Sequence, residues 1–96
     1  MADDPAPYVL KHPITATIGN ETQTIHQVTM RRATGADLLL IDQYQHQPMM
    51  LVLEMIGQLS GLMMVHVKKL DAEDLGPLGA RAFSNIEGGP PIGETA

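Results

Sequence analysis

One apolar stretch, residues 48–64, constrains the fold of this chain more than any other part of it. It holds five of the seven methionines, and between Met49 and Leu59 only Glu54, Gly57 and Gln58 are not large apolar residues. On a helical wheel at about 100° per residue, its large apolar side chains spread over roughly 200°. A helix that packs once against a small core needs an apolar arc of only about 100°. The stretch therefore predicts a central helix covered on two sides, either by its own fold or by another protein.

Two apolar ridges run along this predicted helix, about 130° apart. Because a small core covers only one ridge well, the other is available to a partner or to a second copy of the chain. Methionine suits surfaces that repack against variable partners, although it also fills irregular cores. One ridge is formed by Met49, Leu53 and Ile56, and the other by Leu51, Met55 and Leu59. The candidate partner-binding residues are Met49, Leu51, Leu53, Met55, Ile56, Leu59, Met63 and Met64.

The size and composition of the chain favour one small domain. Its 96 residues are 44% apolar, but there is one Phe, there are two Tyr and there is no Trp, so the core must be aliphatic and rich in methionine. A domain of this size has a modest core, which favours a homo-oligomer. No cysteine is present for a disulfide or a thiolate metal site, and a cytoplasmic setting fits best.

The charge pattern excludes two classes of partner. The net charge is −5, and the basic clusters are the pairs Arg31–Arg32 and Lys68–Lys69, which are too few to hold a nucleic-acid backbone. Residues 1–7 are acidic and lack the basic and apolar regions of a signal peptide, and no apolar run is long enough to cross a bilayer. We therefore expect a non-secreted protein that binds neither nucleic acid nor membrane.

The first part of the chain predicts an antiparallel β-hairpin at about residues 14–30. Apolar and polar residues alternate over residues 14–18, a glycine-containing turn follows, and the return strand is rich in Thr, Val and Ile. In the return strand, Ile25 and Val28 are three residues apart. Either the two faces of the strand switch there, or a β-bulge lies near His26.

After the hairpin, the period of the apolar pattern changes from two to about 3.6 residues, which predicts helices. Thr34 is a good N-cap, and Asp37 three residues later resembles a capping box. Pro48 fits the first turn of the central helix. The predicted helices span about residues 34–46, 48–60 and 74–86.

Two details of the helical part stay open at this level. Residues 62–69 predict a short helix or turn, with a third strand of the sheet as the alternative. Asp71 and Asp74 are both candidate caps for the last helix, and Gly76–Pro77 must lie in its first turn or kink it. Leu75, Leu78, Ala82 and Ile86 line one face of that helix at helical spacing.

These elements predict an α+β fold, in which an N-terminal antiparallel hairpin packs on a small bundle of about three helices. The predicted domain spans residues 8–87. Residues 1–7 are expected to be a disordered lead, and residues 88–96 a flexible tail rich in Gly and Pro.

Residues able to carry chemistry are sparse. His12, His26, His46 and His66 lie in different predicted elements, without the spacing of a zinc site. The acidic residues at the start of the last helix are typical of helix capping and solvated charge. The Arg31–Arg32 pair could bind an acidic partner, but a solvated strand end is the favoured interpretation. The sequence predicts no catalytic residue, no metal ligand and no cofactor.

Four short blocks follow one another between residues 8 and 86. The first block consists of Leu10, Pro13 and Ile14, and the second of Ile25, Val28, Thr29, Met30, Arg31, Arg32, Thr34, Asp37 and Leu38. The third consists of Leu59, Ser60, Gly61 and Leu62, and the fourth of Leu70, Asp74 and Leu75. Together they resemble the small tail assembly chaperones of contractile-tailed phages, especially the Mu-like members. The chain departs from the family pattern at Ala33, where Pro is frequent, at Ala36, where Gly is common, and in its methionine-rich central helix.

The resemblance implies a non-enzymatic assembly factor in the host bacterial cytoplasm. Such proteins are thought to coat the long helical tape measure protein, keep it soluble, help to recruit tail tube subunits, and leave before the virion matures. The alternatives are a structural virion or adaptor protein, or a self-associating domain without a chaperone role; an enzyme comes third.

Overall fold

An N-terminal hairpin followed by four helices forms the part of the chain that the computed structural model describes, residues 6–87, with side chains described to residue 84. This is the predicted α+β class. The elements are β1 (Tyr8–Ile18), β2 (Glu21–Val28), α1 (Gly35–Gln43), α2 (Pro48–Ser60), α3 (Met64–Val67) and α4 (Ala72–Glu87). The predicted tail, residues 88–96, and the first five residues of the predicted lead lie outside the described residues.

The hairpin turns at Gly19 and Asn20. Gly19 has a φ of +65°. Asn20 has a negative φ, since in the described part of the chain only glycines have a positive one. A positive φ followed by a negative φ is the pattern of a type II′ turn. Ile18 and Glu21 face each other across this turn, and the two strands form a two-stranded antiparallel sheet. The first strand is longer than predicted, because it extends back to Tyr8.

The predicted irregularity near His26 is present, but the extra residues belong to the first strand. Val9 pairs with Gln27 and Ile14 pairs with Ile25, so four residues of β1 lie opposite His26 alone. Pro13 lies in this segment, and an irregular part of an edge strand is where a proline, which has no N–H for a sheet ladder, is tolerated.

The C-terminal half of α2 forms the centre of the core. Met55 and Ile56 are fully buried and Leu59 is 3% exposed. The expectation that one ridge faces inward and the other outward is wrong, since these three residues come from both ridges. The reason is that α1, α3 and α4 all pack on α2, so its own chain covers most of it.

Helix α2 has the predicted bounds, and the chain after it is helical. Gly61 ends α2 with a φ of +82°, a left-handed conformation that glycine adopts without strain. The four-residue α3 follows, so the third-strand alternative for residues 62–69 is wrong. Thr34 is the N-cap of α1, as predicted, but α1 ends at Gln43, three residues earlier than expected.

Helix α4 begins at Ala72, and Asp71 is its cap. The Asp71 carboxylate accepts a hydrogen bond of 2.9 Å from the N–H of Glu73. Asp74, the other cap candidate, is instead buried inside the helix and faces β1. Pro77 lies inside α4, in its second turn, so of the two predicted alternatives a position in the first turn is wrong.

Candidate functional site

An open groove between α2 and α4 is the candidate binding site. Its volume is about 400 Å³. Helix α4 has only small residues where it meets the groove, apart from Leu75, so its side chains leave the space unfilled. The lining residues are Met49 and Val52 of α2, and Ala72, Leu75, Gly76, Gly79 and Ala80 of α4.

Gly79 sets the close approach of the two helices at the floor of this groove. A Cβ atom at position 79 would lie 3.2 Å from Cγ1 of Val52, which is tighter than an ordinary van der Waals contact. Gly76 is different, because a Cβ there would meet nothing within 4 Å. Val52 therefore closes the floor of the groove at Gly79, whereas the space next to Gly76 is empty. An apolar side chain of another molecule can occupy that space.

The eight predicted binding residues are distributed over the core, its edge and two surfaces. Met55, Ile56 and Leu59 belong to the core, and Leu51, Leu53 and Met64 are half-buried against it. Met49 is 59% exposed at the rim of the α2–α4 groove, whereas Met63 is 58% exposed elsewhere. The structure therefore brings only Met49 of the predicted set into this groove.

Sequence reasoning missed the α4 half of the groove. The signal was present, because small residues recur at helical spacing at positions 72, 76, 79 and 80. Periodicity analysis looks for large apolar residues, and a face of Ala and Gly carries little weight in it.

A second groove, of about 360 Å³, lies between the hairpin and the segment that joins α2 to α3. Ile18 and Met63 are more than half exposed at this groove. Its lining residues are Thr17, Ile18, Gly19, Ile25, Gly61, Leu62, Met63 and His66.

An ion pair between a half-exposed guanidinium and a buried carboxylate fixes the start of α1 beside the end of β2. The Arg31 guanidinium donates two hydrogen bonds, of 2.7 and 2.9 Å, to the two carboxylate oxygens of Asp37, which is 1% exposed. Asp37 also accepts hydrogen bonds from the N–H and hydroxyl of Thr34. The Arg31 guanidinium, followed by the Thr34 N–H, holds the pKa of Asp37 well below its usual range, although burial opposes this. Arg31 is therefore a structural ion-pair partner, and its interpretation as a solvated strand end is wrong.

A second buried carboxylate attaches the hairpin to α4. Asp74 is fully buried and accepts hydrogen bonds from the N–H groups of Lys11 and His12, at 2.8 and 3.0 Å, and from the Tyr8 hydroxyl at 3.0 Å. Burial by itself would raise the pKa of Asp74, but these donors outweigh it and lower the pKa. Both Asp37 and Asp74 thus stabilise the fold and lie outside the groove lining.

An exposed group of three titratable side chains lies beside this attachment. Nε2 of His12 is 2.6 Å from Oε1 of Glu73 and 3.8 Å from Oδ2 of Asp71. The hydrogen bond to Glu73 raises the pKa of His12. The three side chains offer ligand atoms within 4.8 Å of one another, but all three are exposed and solvated.

The groove lining determines what the site can do chemically. The side chains that line it are apolar, and none of them carries a nucleophile or a group that exchanges a proton near neutral pH. Such a surface binds apolar side chains of another molecule.

A family model described as "Phage tail assembly chaperone proteins, E, or 41 or 14" matches residues 8–86. The chain belongs to the phage tail assembly chaperone family. The match covers the hairpin and all four helices except the last residue of α4, so the groove and both buried carboxylates lie within the family domain. Neither the curated proteins nor the solved structures give a significant match. Within residues 6–87, none of the helices has the length and apolar content needed to cross a bilayer.

Proposed function

We propose that this member of the tail assembly chaperone family binds the tape measure protein and keeps it soluble in the host bacterial cytoplasm while the tail is assembled. The observation that carries the proposal is the open apolar groove between α2 and α4. Membership of the tail assembly chaperone family supports this choice of partner, because such chaperones are thought to coat the tape measure protein.

The shape of the groove suits one side of a helix. A tape measure protein is a long helical chain, and an amphipathic helix presents large apolar residues at intervals of three and four. The small residues of α4 allow the backbone of a partner helix to come close, while Leu75 and Met49 provide apolar walls. A helix bound in this way would have its apolar stripe covered, which is how a chaperone prevents aggregation.

The chemistry of the rim favours reversible binding. Met49 is flexible and 59% exposed, so it can adjust to successive apolar side chains of different shape. A surface that repacks in this way accepts many segments of one long partner with moderate affinity. Release before the virion matures, and recruitment of tail tube subunits by the coated complex, belong to the same proposal.

Two methionines of nearly equal exposure provide a matched test. Met49, at 59%, lines the α2–α4 groove, and Met63, at 58%, does not. Each is changed to Gln, and each variant is co-expressed with the tape measure protein. The amount of soluble tape measure protein and the amount that co-purifies with the tagged chaperone are measured, with circular dichroism to check the fold.

We expect Met49→Gln to weaken binding about fivefold or more, since losing the burial of part of a methionine costs about 1 kcal/mol or more. Met63→Gln should bind like the unmodified chain. Ala80→Gln, which places a longer side chain at the groove, should behave like Met49→Gln. If all three variants keep the tape measure protein soluble and bound, the groove is not its site. If the unmodified chain neither binds nor solubilises it, the proposed function is wrong.

A further inference from the structure

Within the described residues, the chain covers the β1 edge of the hairpin and leaves the β2 edge open. On the β1 edge, the N–H groups of Lys11 and His12 donate to Asp74, and the Thr15 carbonyl accepts a hydrogen bond of 3.1 Å from Nζ of Lys69. In the part of the chain that the structure describes, we find no side chain bound in this way to the outer edge of β2.

The direction of the Thr15 carbonyl shows where the backbone of β2 points. Thr15 lies directly opposite Thr24. Because the Thr15 carbonyl is directed to Lys69, away from β2, this pair is of the type without hydrogen bonds between its members. The N–H and carbonyl of Thr24 therefore point away from β1. By the alternation of an antiparallel strand, those of Thr22 and His26 do so as well, and all three residues are exposed.

Strand β2 lacks the features that normally protect an edge from pairing. It contains no Pro, Gly, Lys or Arg, and the irregularity of the sheet lies in the residues of β1. An exposed edge strand with neither proline, nor lysine, nor a bulge is a template for a further strand.

We propose that β2 pairs with β2 of a second copy of this chain, antiparallel, about a two-fold axis that passes Thr24. This arrangement places Thr24 opposite Thr24 of the second copy and Thr22 opposite His26 of the second copy. The outward groups of these residues form about six main-chain hydrogen bonds, within the range of about 10 ± 5 that a typical interface has. The product is a continuous four-stranded sheet.

The charges of β2 favour a second copy in this orientation. Glu21 is the only acidic residue of the strand, and it stands at one end. Antiparallel pairing places the two Glu21 side chains at opposite ends of the interface, each near Gln27 of the other copy. Parallel pairing would put them side by side, and like charges opposite each other destabilise a sheet.

The exposed apolar residues beside β2 extend the interface. Eight strand residues fall short of the 20–30 residues a side that are usual in a stable complex. Ile25 of β2 also lines the second groove, in which Ile18 and Met63 are more than half exposed. Covering these side chains in both copies adds apolar burial to the hydrogen bonds of the strands. The inference stands apart from the proposed function, because the α2–α4 groove takes no part in it.

Light scattering after size-exclusion chromatography tests the proposal on the full chain. The unmodified chain should have twice its 10.4 kDa mass. Thr24→Pro removes an outward N–H and should give a monomer, and an edge position of this kind tolerates proline without unfolding. The matched control is Thr15→Pro, an exposed threonine whose N–H points to the β1 edge and which lies outside the second groove, and it should stay dimeric. Circular dichroism shows whether each variant is folded.

Charge substitutions test the register and need no proline. The double variant Thr22→Lys with His26→Lys should repel its own second copy, and so should Thr22→Glu with His26→Glu. An equimolar mixture of the two should form a heterodimer, visible by native mass spectrometry, because Thr22 faces His26 across the axis. An unmodified chain that is monomeric at all concentrations, a Thr24→Pro variant that stays dimeric, or a mixture that stays monomeric would each overturn the proposal. A monomer that instead binds an extended peptide at β2 would assign the edge to a different protein.

Discussion

Replacing Asp74 by Ala should detach the hairpin from α4 and strongly destabilise the domain. The carboxylate is fully buried and accepts three hydrogen bonds, from the N–H groups of Lys11 and His12 and from the Tyr8 hydroxyl. A buried donor that loses its partner costs about 1–3 kcal/mol. Lys11 and His12 are exposed residues whose N–H groups can be partly rehydrated, which places the total at about 2–4 kcal/mol.

For a domain of this size, each kcal/mol shifts the melting temperature by about 4–8 °C, so Asp74→Ala should lower it by about 8–32 °C. Thermal melts and urea titrations by circular dichroism measure this loss. Tyr8→Phe removes one of the three bonds and should have a smaller effect. Glu73→Ala is the matched control, because it removes an exposed carboxylate one residue away with the same change in net charge.

The pH dependence of this loss follows from the lowered pKa of Asp74. Its pKa is below the ordinary value of 3.8, so the carboxylate stabilises the fold above that value, and this stabilisation is lost as the pH falls through the folded-state pKa. The difference in stability between the unmodified chain and Asp74→Asn should therefore be constant near neutral pH and shrink in strong acid. If Asp74→Ala melts within error of Glu73→Ala, the carboxylate does not hold the hairpin and the reasoning is refuted.

Three further predictions concern other parts of the fold. Leu59→Ala should cost about 2–5 kcal/mol in urea titrations, because it opens a cavity in the core, whereas Met49→Ala at the exposed groove rim should change stability by less than about 0.5 kcal/mol. Asp37→Ala should cost about 2–3 kcal/mol, less than the loss of a fully buried ion pair, because the guanidinium partner is half exposed and regains water. In NMR titrations, His12 should have a raised pKa that Glu73→Gln returns towards the ordinary value, and its small stabilising effect should be present below pH 6.5 and fade as the pH rises through the raised pKa.

Local signals were sufficient to predict several of the turns and helix ends. Pro48 in the first turn and Gly61 just past the last turn mark both ends of α2, and each acts through its own backbone preference. Thr34 and Gly19 placed the start of α1 and the hairpin turn for the same reason. A residue whose role depends on its own φ and ψ can be interpreted from sequence alone.

Long-range roles could not be interpreted in this way. Asp74 has the local pattern of a helix cap, but its partners lie 62–66 residues earlier in the chain. The helical wheel of α2 showed that its apolar surface faces several ways. It could not show which of the other helices covers each side. For the same reason, the sequence predicted only one half of the groove. Met49 is recognisable as an apolar residue on α2, but the groove also needs Gly76 and Ala80 of α4 beside it, and that contact is long-range.

The attachment of β1 to α4 sets the order in which the domain can be completed. The hairpin, α1 and α2 are built from neighbouring residues and can form as soon as they are synthesised, but the bonds from Tyr8, Lys11 and His12 wait for Asp74. Until α4 is made, the inner face of the hairpin and the core side of α2 have no cover from it. Nascent chains of this protein therefore pass through a stage in which they expose apolar surface themselves, and domain closure depends on the final sixteen-residue helix.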